Sequence, residues 1–208
     1  MTPLPEAALC AGVALADLDT TLWGQWMISR PVILGSILGF FLADSPEALW
    51  QAAWMGFWME LLLLDILPIG GAVPPNGALA IGGTLLLHAR GVPIELCFLL
   101  GLGLGRGFIP LETKLRQVRA RFLRSLEILS AKDVRRLDGG LKRIIFSSMG
   151  LQFLATFFFL WGSIVLASPW SLWLWKVSPD LLKGTLQRGF ETIPWIGLAT
   201  FLYAMRPR

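Results

Sequence analysis

This sequence has little charge for its length. Asp, Glu, Lys and Arg make up 15% of its 208 residues against 55% hydrophobic ones, too little charged surface for a soluble domain of this length. The single histidine, His88, stands at the end of an apolar run with no acidic or thiol cluster beside it. It reads as an interfacial helix end, and any phosphohistidine chemistry would have to use another polypeptide. Cys10 and Cys97 lie in separate apolar runs with no partner at metal-ligand spacing, which excludes a disulfide framework and leaves two packed thiols. GLGLGRG (101–107) is out of G-x-G-x-x-G register and follows no strand, so close helix packing through small residues is expected rather than phosphate binding. No nucleophile–base set stands out, so no catalytic residue, metal or cofactor is expected. MTPLPEAALCAG has no basic n-region and carries Glu6 before its apolar run, so the first apolar segment is expected to stay in the mature protein.

What is present instead is apolar and aromatic: ten Trp and thirteen Phe. The chain is expected to be one all-α, multi-pass membrane domain, residues 1–208. Eleven of the eighteen Lys and Arg fall between Arg106 and Arg143, so the basic balance reports one cytoplasmic segment and not a nucleic-acid surface.

A helix needs about 20 apolar residues to cross the hydrocarbon core. Several segments of residues 1–109 fall short of that. Pro5 to Leu18 is closed by Asp17 and Asp19, Pro31 to Ala43 by Asp44 and Pro46, and Gly77 to Ala89 is shorter than a crossing as well. Pro93 to Ile109 is about one spanning length. Short apolar segments bounded by Pro and Gly are what discontinuous, re-entrant helices look like in sequence. GSILG (35–39) reads as a packing face, with a partner subunit as the sharper alternative.

Residues 110–143 form an amphipathic connector. Leu111, Leu115, Val118, Phe122, Leu126 and Leu129 recur at three or four residues, with Arg and Lys on the other faces. Residues 144–208 are expected to form a transmembrane hairpin, Ile144 to Ala167 and Leu181 to Met205, with SPWSLWLWKVSP as a turn at the outer interface.

WMELLLLDILPIGGAVPPNGALA (58–80) breaks the pattern. It places Glu60 and Asp65 where lipid penalises a carboxylate by at least about 2.5–3.5 kcal/mol, and then breaks at Pro68, Gly70 and Gly71. Irregular backbone at that depth is tolerated only where it is buried or lines a wet cavity. A polar site around Gln25 to Pro31 and Asp65 to Asn76 follows. Arg30 is the nearest cation in sequence order, and can equally form a structural ion pair with one of the acids or touch a ligand.

These residues resemble a known family. SRPVILGSILGFFLAD, then GFWMELLLLDILPIGGAVPPNGALA, a basic amphipathic connector and a late PWIGLA are similar, in order and over nearly the whole chain, to membrane subunit IIC of the mannose/fructose/sorbose class of bacterial phosphotransferase systems. The most specific part is the spacing Glu60, Gly70, Val73, Pro75, with Arg30-Pro31 and Asp44 upstream. The resemblance implies inverted repeats, an inner-membrane permease that is no enzyme by itself, a IID membrane partner in an oligomeric complex, and phosphorylation of a hexose-type sugar by phospho-IIB fed by IIA and HPr. It also implies a sugar site among the broken segments. A carboxylate accepts two hydroxyls while an amide both donates and accepts, so Glu60, Asn76 and Gln25 offer the chemistry a hexose needs. Members commonly carry Asn at Pro68, Asp at Asn76 and a polar residue at Met27; Asp65 stands where a small residue is usual. Met27, Pro68 and Asn76 keep open a regulatory or scaffold membrane protein, and Glu60 and Asp65 a proton-coupled secondary transporter.

Overall fold

A computed structural model describes residues 6–19, 26–63, 73–130 and 134–205, without the side chains of 123–141 and 204. The described residues form helices α1 (Glu6–Leu18), α2 (Pro31–Leu42), α3 (Pro46–Leu63), α4 (Gly77–Ala89), α5 (Ile94–Gly107), α6 (Ile109–Ser130), α7 (Val134–Val177) and α8 (Asp180–Ala204). Helix α2 starts at Pro31, whose missing N–H is harmless in a first turn. Helix α4 starts on an Asn76 cap, and its C-terminal turn is relieved by Gly91 at φ 82°.

Helix α4 is the centre of the molecule. Every residue from Ala78 to Leu87 is buried, so it has no lipid or water face. At 13 residues it is only roughly 20 Å long, and α2, at 12, is no longer. Neither can cross a bilayer alone. Against α4 pack Val13 and Cys10 of α1, Met59 of α3, Phe98 of α5 and Leu160 and Ile164 of α7, all fully buried.

Glycines set the spacing. Gly35 and Gly39 of α2 lie against Ala52 and Gly56 of α3, so closely that a Cβ on Gly35 would sit 2.9 Å from the Ala52 carbonyl oxygen. The α2–α3 pair is therefore an antiparallel hairpin of touching backbones, and GSILG finds its packing partner inside this chain. In the α4–α5 hairpin Gly101 faces Thr84 and Ala80, and Gly105 faces the Asn76 carbonyl. The GLGLGRG stretch is thus a packing face. Gly77 packs on Pro31 and Gly35 on Ile81, so the two short helices run side by side with their N-termini together.

Among the described residues two helical stretches are both long and apolar enough to cross a membrane, Ile94–Phe122 and Lys142–Val177. Helix α8 has the length but carries Asp180, Lys183, Arg188 and Glu191 in its first half, and it leans on α3, where Gly197 contacts Leu61. One expectation is corrected. SPWSLWLWKVSP is not a turn: α7 continues as helix through Pro169 to Val177. Around Pro169, Ser171 donates to the Ala167 carbonyl at 2.7 Å and Arg90 donates to the Ile164 carbonyl at 3.4 Å. At 44 residues α7 is roughly 66 Å long, so it runs unbroken through residue 143 and past any bilayer. Both thiols are fully buried, and Cys97 donates to the Val92 carbonyl. His88 is exposed at the end of α4, its Nδ1 3.1 Å from that same carbonyl.

Candidate functional site

The site is built where α2, α3 and α4 meet. Glu60 lies in the last turn of α3, and the α2–α3 hairpin brings it to the start of α2. There Arg30 donates to its Oε1 at 2.6 Å, and the Val32 N–H points at its Oε2 at 3.4 Å. Glu60 thus lies beside the electropositive end of a helix as well as a guanidinium. The pair is uneven in exposure, with side chains 16% exposed for Glu60 and 50% for Arg30.

The chain enters α2 through a strained turn. Met27 adopts φ 64°, a left-handed conformation that side chains disfavour. Asp19, just past α1, holds it by accepting from the N–H groups on either side, Trp26 at 2.7 Å and Ile28 at 2.8 Å.

Asn76 stands one residue before Gly77, which packs on Pro31. Its Oδ1 accepts from the Leu79 N–H at 3.0 Å, capping α4, and its Nδ2 donates to Asp17 Oδ1 at 2.6 Å. Its backbone N–H donates to the Gly105 carbonyl at 3.0 Å. The amide is held on every side. Beyond Asp17 the network continues: its Oδ2 accepts from Thr156 at 2.7 Å and from Gln152 Nε2 at 3.1 Å. Gln152 also donates to Glu112 Oε2 at 2.8 Å, and Glu112 Oε1 accepts from Arg116 at 3.0 Å and Arg119 at 2.8 Å.

Of the five expected site residues, the structure brings Glu60, Arg30 and Asn76 to neighbouring helix ends. Gln25 and Asp65 fall in 20–25 and 64–72, outside the described residues, as do Pro68, Gly70 and Gly71. Sequence reasoning missed Asp17, Asp19, Glu112, Gln152 and Thr156. Gln152 was the available signal, an amide inside the apolar run of α7, where polar side chains usually join helices.

Two cavities flank this region. One of about 80 Å³ lies between Pro75, Asn76, Phe108 and Glu112. The other, about 400 Å³ between α1 and α2, is lined by Leu9, Leu15, Ile37, Leu38 and Phe41. Its carboxylate, Asp19, is already committed to two backbone N–H groups, so it offers little to a polyol.

Short paired helices with breaks at their N-termini, a carboxylate among them and long apolar crossings beside them define a membrane transport protein of the discontinuous-helix kind. Over residues 6–208 the chain matches the family described as the sorbose-specific IIC component of the phosphotransferase system, and it belongs to that family. A solved structure described as that of a membrane protein superposes with a TM-score of 0.73 at 21% identity, covering 97% of this chain and 80% of its own. Another, a cryo-EM structure of the mannose transporter ManYZ in complex with microcin E492, gives 0.64 at 20% identity, covering 97% of this chain and 79% of its own. At these identities the likeness is one of fold. No curated protein matches the chain in sequence.

Proposed function

We infer that this chain is the sugar-translocating IIC permease of a phosphoenolpyruvate-dependent phosphotransferase system of the mannose/fructose/sorbose class. It works in the bacterial inner membrane as part of an oligomeric complex with a IID subunit. Phospho-IIB, fed by IIA and HPr, phosphorylates the sugar on the cytoplasmic side; the connector, residues 110–143, faces that side between the N-terminal half, 1–109, and the C-terminal crossings, 144–208. The halves are related as inverted repeats.

The observation that supports this reading is the pairing of Glu60 with Arg30 at the start of α2, where Gly77 at the start of α4 packs on Pro31. Glu60 accepts sugar hydroxyls as its pair with Arg30 opens, Arg30 donates in turn, and Gln25 and Asp65 complete the ring of partners. Asn76 shapes the rim. A hydrogen bond to a charged group is worth about 1.5–3 kcal/mol, so Glu60→Gln lowers apparent sugar affinity by about 10- to 150-fold. The measurement is uptake and phosphorylation of labelled hexoses in membranes carrying this chain with IID, IIB, IIA and HPr. Normal uptake by Glu60→Gln removes Glu60 from the site, and phosphorylation of no hexose removes the transport function.

One observation favours a second reading, a regulatory or scaffold role: Glu60 and Asn76 are both engaged within the protein. Sugar binding at physiological concentration would rule it out.

A further inference from the structure

The buried hub around Asp17 joins four helices, and transport by Glu60 and Arg30 assigns it no part. Asp17, the penultimate residue of α1, is fully buried. Its carboxylate takes the Asn76 amide from the start of α4 and the Thr156 hydroxyl and Gln152 amide from α7. The two hydrogens of the Gln152 NH2 are divided between Asp17 and Glu112, in the first turn of α6. Gln152 is 2% exposed and its Oε1 has no hydrogen-bond partner among the described residues. That orientation follows from charge: turned over, the amide would set its oxygen against two carboxylates.

Residue 76 has two duties at once. It must accept from the Leu79 N–H to cap α4 and donate to Asp17. An amide does both. A carboxylate would cap equally well, but would meet a second carboxylate at 2.6 Å.

We propose that Asp17 is a positioning residue of the sugar site: it holds Asn76, and with it the start of α4 beside Pro31, and through Gln152 ties that point to Glu112 at the root of the amphipathic arm. The proposal rests on the sugar-site reading above. It makes positions 17 and 76 a matched acid–amide pair whose members can be exchanged.

The test compares Asn76→Asp, Asp17→Asn and the exchange variant carrying both, each in the full chain with its partner subunits. KM and maximal rate for labelled hexose uptake are measured together with hydrogen exchange over residues 76–82. Asn76→Asp is expected to speed exchange there and to raise KM about tenfold, as the buried bond that fixes the start of α4 is lost. The exchange variant rebuilds the bond with donor and acceptor reversed, and returns both readouts to within about threefold of the parent. Unchanged KM in Asn76→Asp overturns the proposal, as does a KM that stays high in an exchange variant whose protection is restored. Should Asn76→Asp not accumulate, Thr156→Val removes one donor from Asp17 without touching residue 76, and the same rise in KM is required of it. Glu60→Gln measured beside them separates the two claims, because normal uptake there refutes the site while unchanged KM in Asn76→Asp refutes the positioning.

Discussion

Replacing Gly56 by alanine tests the fold and the site together. A Cβ there would overlap the Pro31 carbonyl oxygen and lie 2.9 Å from both the Pro31 carbonyl carbon and the Val32 Cα. Carbon atoms pack at about 3.5–4.0 Å, so α2 must retreat by roughly 0.6–1.1 Å, and the obstacle is backbone that no rotamer change can move. Overpacking of this kind costs about 3 kcal/mol at the upper end, and alanine returns about 1 kcal/mol of helix propensity. The net loss is about 2 kcal/mol. For a chain of this size that lowers the melting temperature in detergent by about 4–8 °C. Gly12→Ala and Gly162→Ala are the controls, since nothing lies within 4 Å of a Cβ at either position. They should melt at or up to about 4 °C above the parent. Glu60 lies one turn beyond Gly56 and Arg30 directly precedes Pro31, so the same retreat stretches the 2.6 Å ion pair and hexose uptake falls as well. A Gly56→Ala protein that melts with Gly162→Ala would refute the close-contact reading of the α2–α3 hairpin.

Two further perturbations follow from the geometry. Arg90 grips both oxygens of Glu6 at 2.8 and 2.9 Å and donates to Ser168 at 2.7 Å, tying α1 and α7 to the end of α4. With both side chains about 30% exposed the clasp is discounted for screening, and Arg90→Met should cost about 1–2 kcal/mol, read as a lower melting temperature that Arg90→Lys only partly recovers. Asp19→Ala leaves the Trp26 and Ile28 N–H groups without their acceptor around the left-handed Met27. It should cost about 1–3 kcal/mol and raise protease sensitivity near residue 26; unchanged digestion would show that the turn holds without it.

What the sequence disclosed was local. Pro31, Asp44 with Pro46, and Gly77 punctuate the chain through backbone rules that act over a few residues, so the limits of α2 and the start of α4 could be read directly. GSILG and GLGLGRG were legible as packing faces, though not as to whose. The continuity of α7 was not. Two Ser-Pro pairs around a tryptophan cluster look like a turn, and the groups that α7 meets there include Arg90, bonded to Ser168 from 78 residues away in the chain. The hub was hidden likewise, since Asn76 meets Asp17 across 59 residues and Thr156 meets it across 139. Periodicity carries no information about such pairs.

Glu60 and Asn76 look equivalent in sequence, two polar groups flanking one broken stretch, and the structure engages both. Their partnerships differ in strength. Arg30 is half exposed, so opening its pair with Glu60 returns a guanidinium to solvent or to a ligand, at about 0.2–1 kcal/mol for an exposed pair and somewhat more for this half-sheltered one. Pulling Asn76 away removes one donor from a fully buried carboxylate and uncaps α4, about 1–3 kcal/mol for the first and about 1 kcal/mol for the second. A hexose hydroxyl offers roughly what a water or a surface arginine offers, enough to replace Arg30 at Glu60 but not Asp17 at Asn76. The carboxylate is therefore the group able to exchange its internal partner for substrate, while the amide stays with the scaffold. Substitutions at 60 should change which sugars bind, and substitutions at 76 should weaken all of them alike.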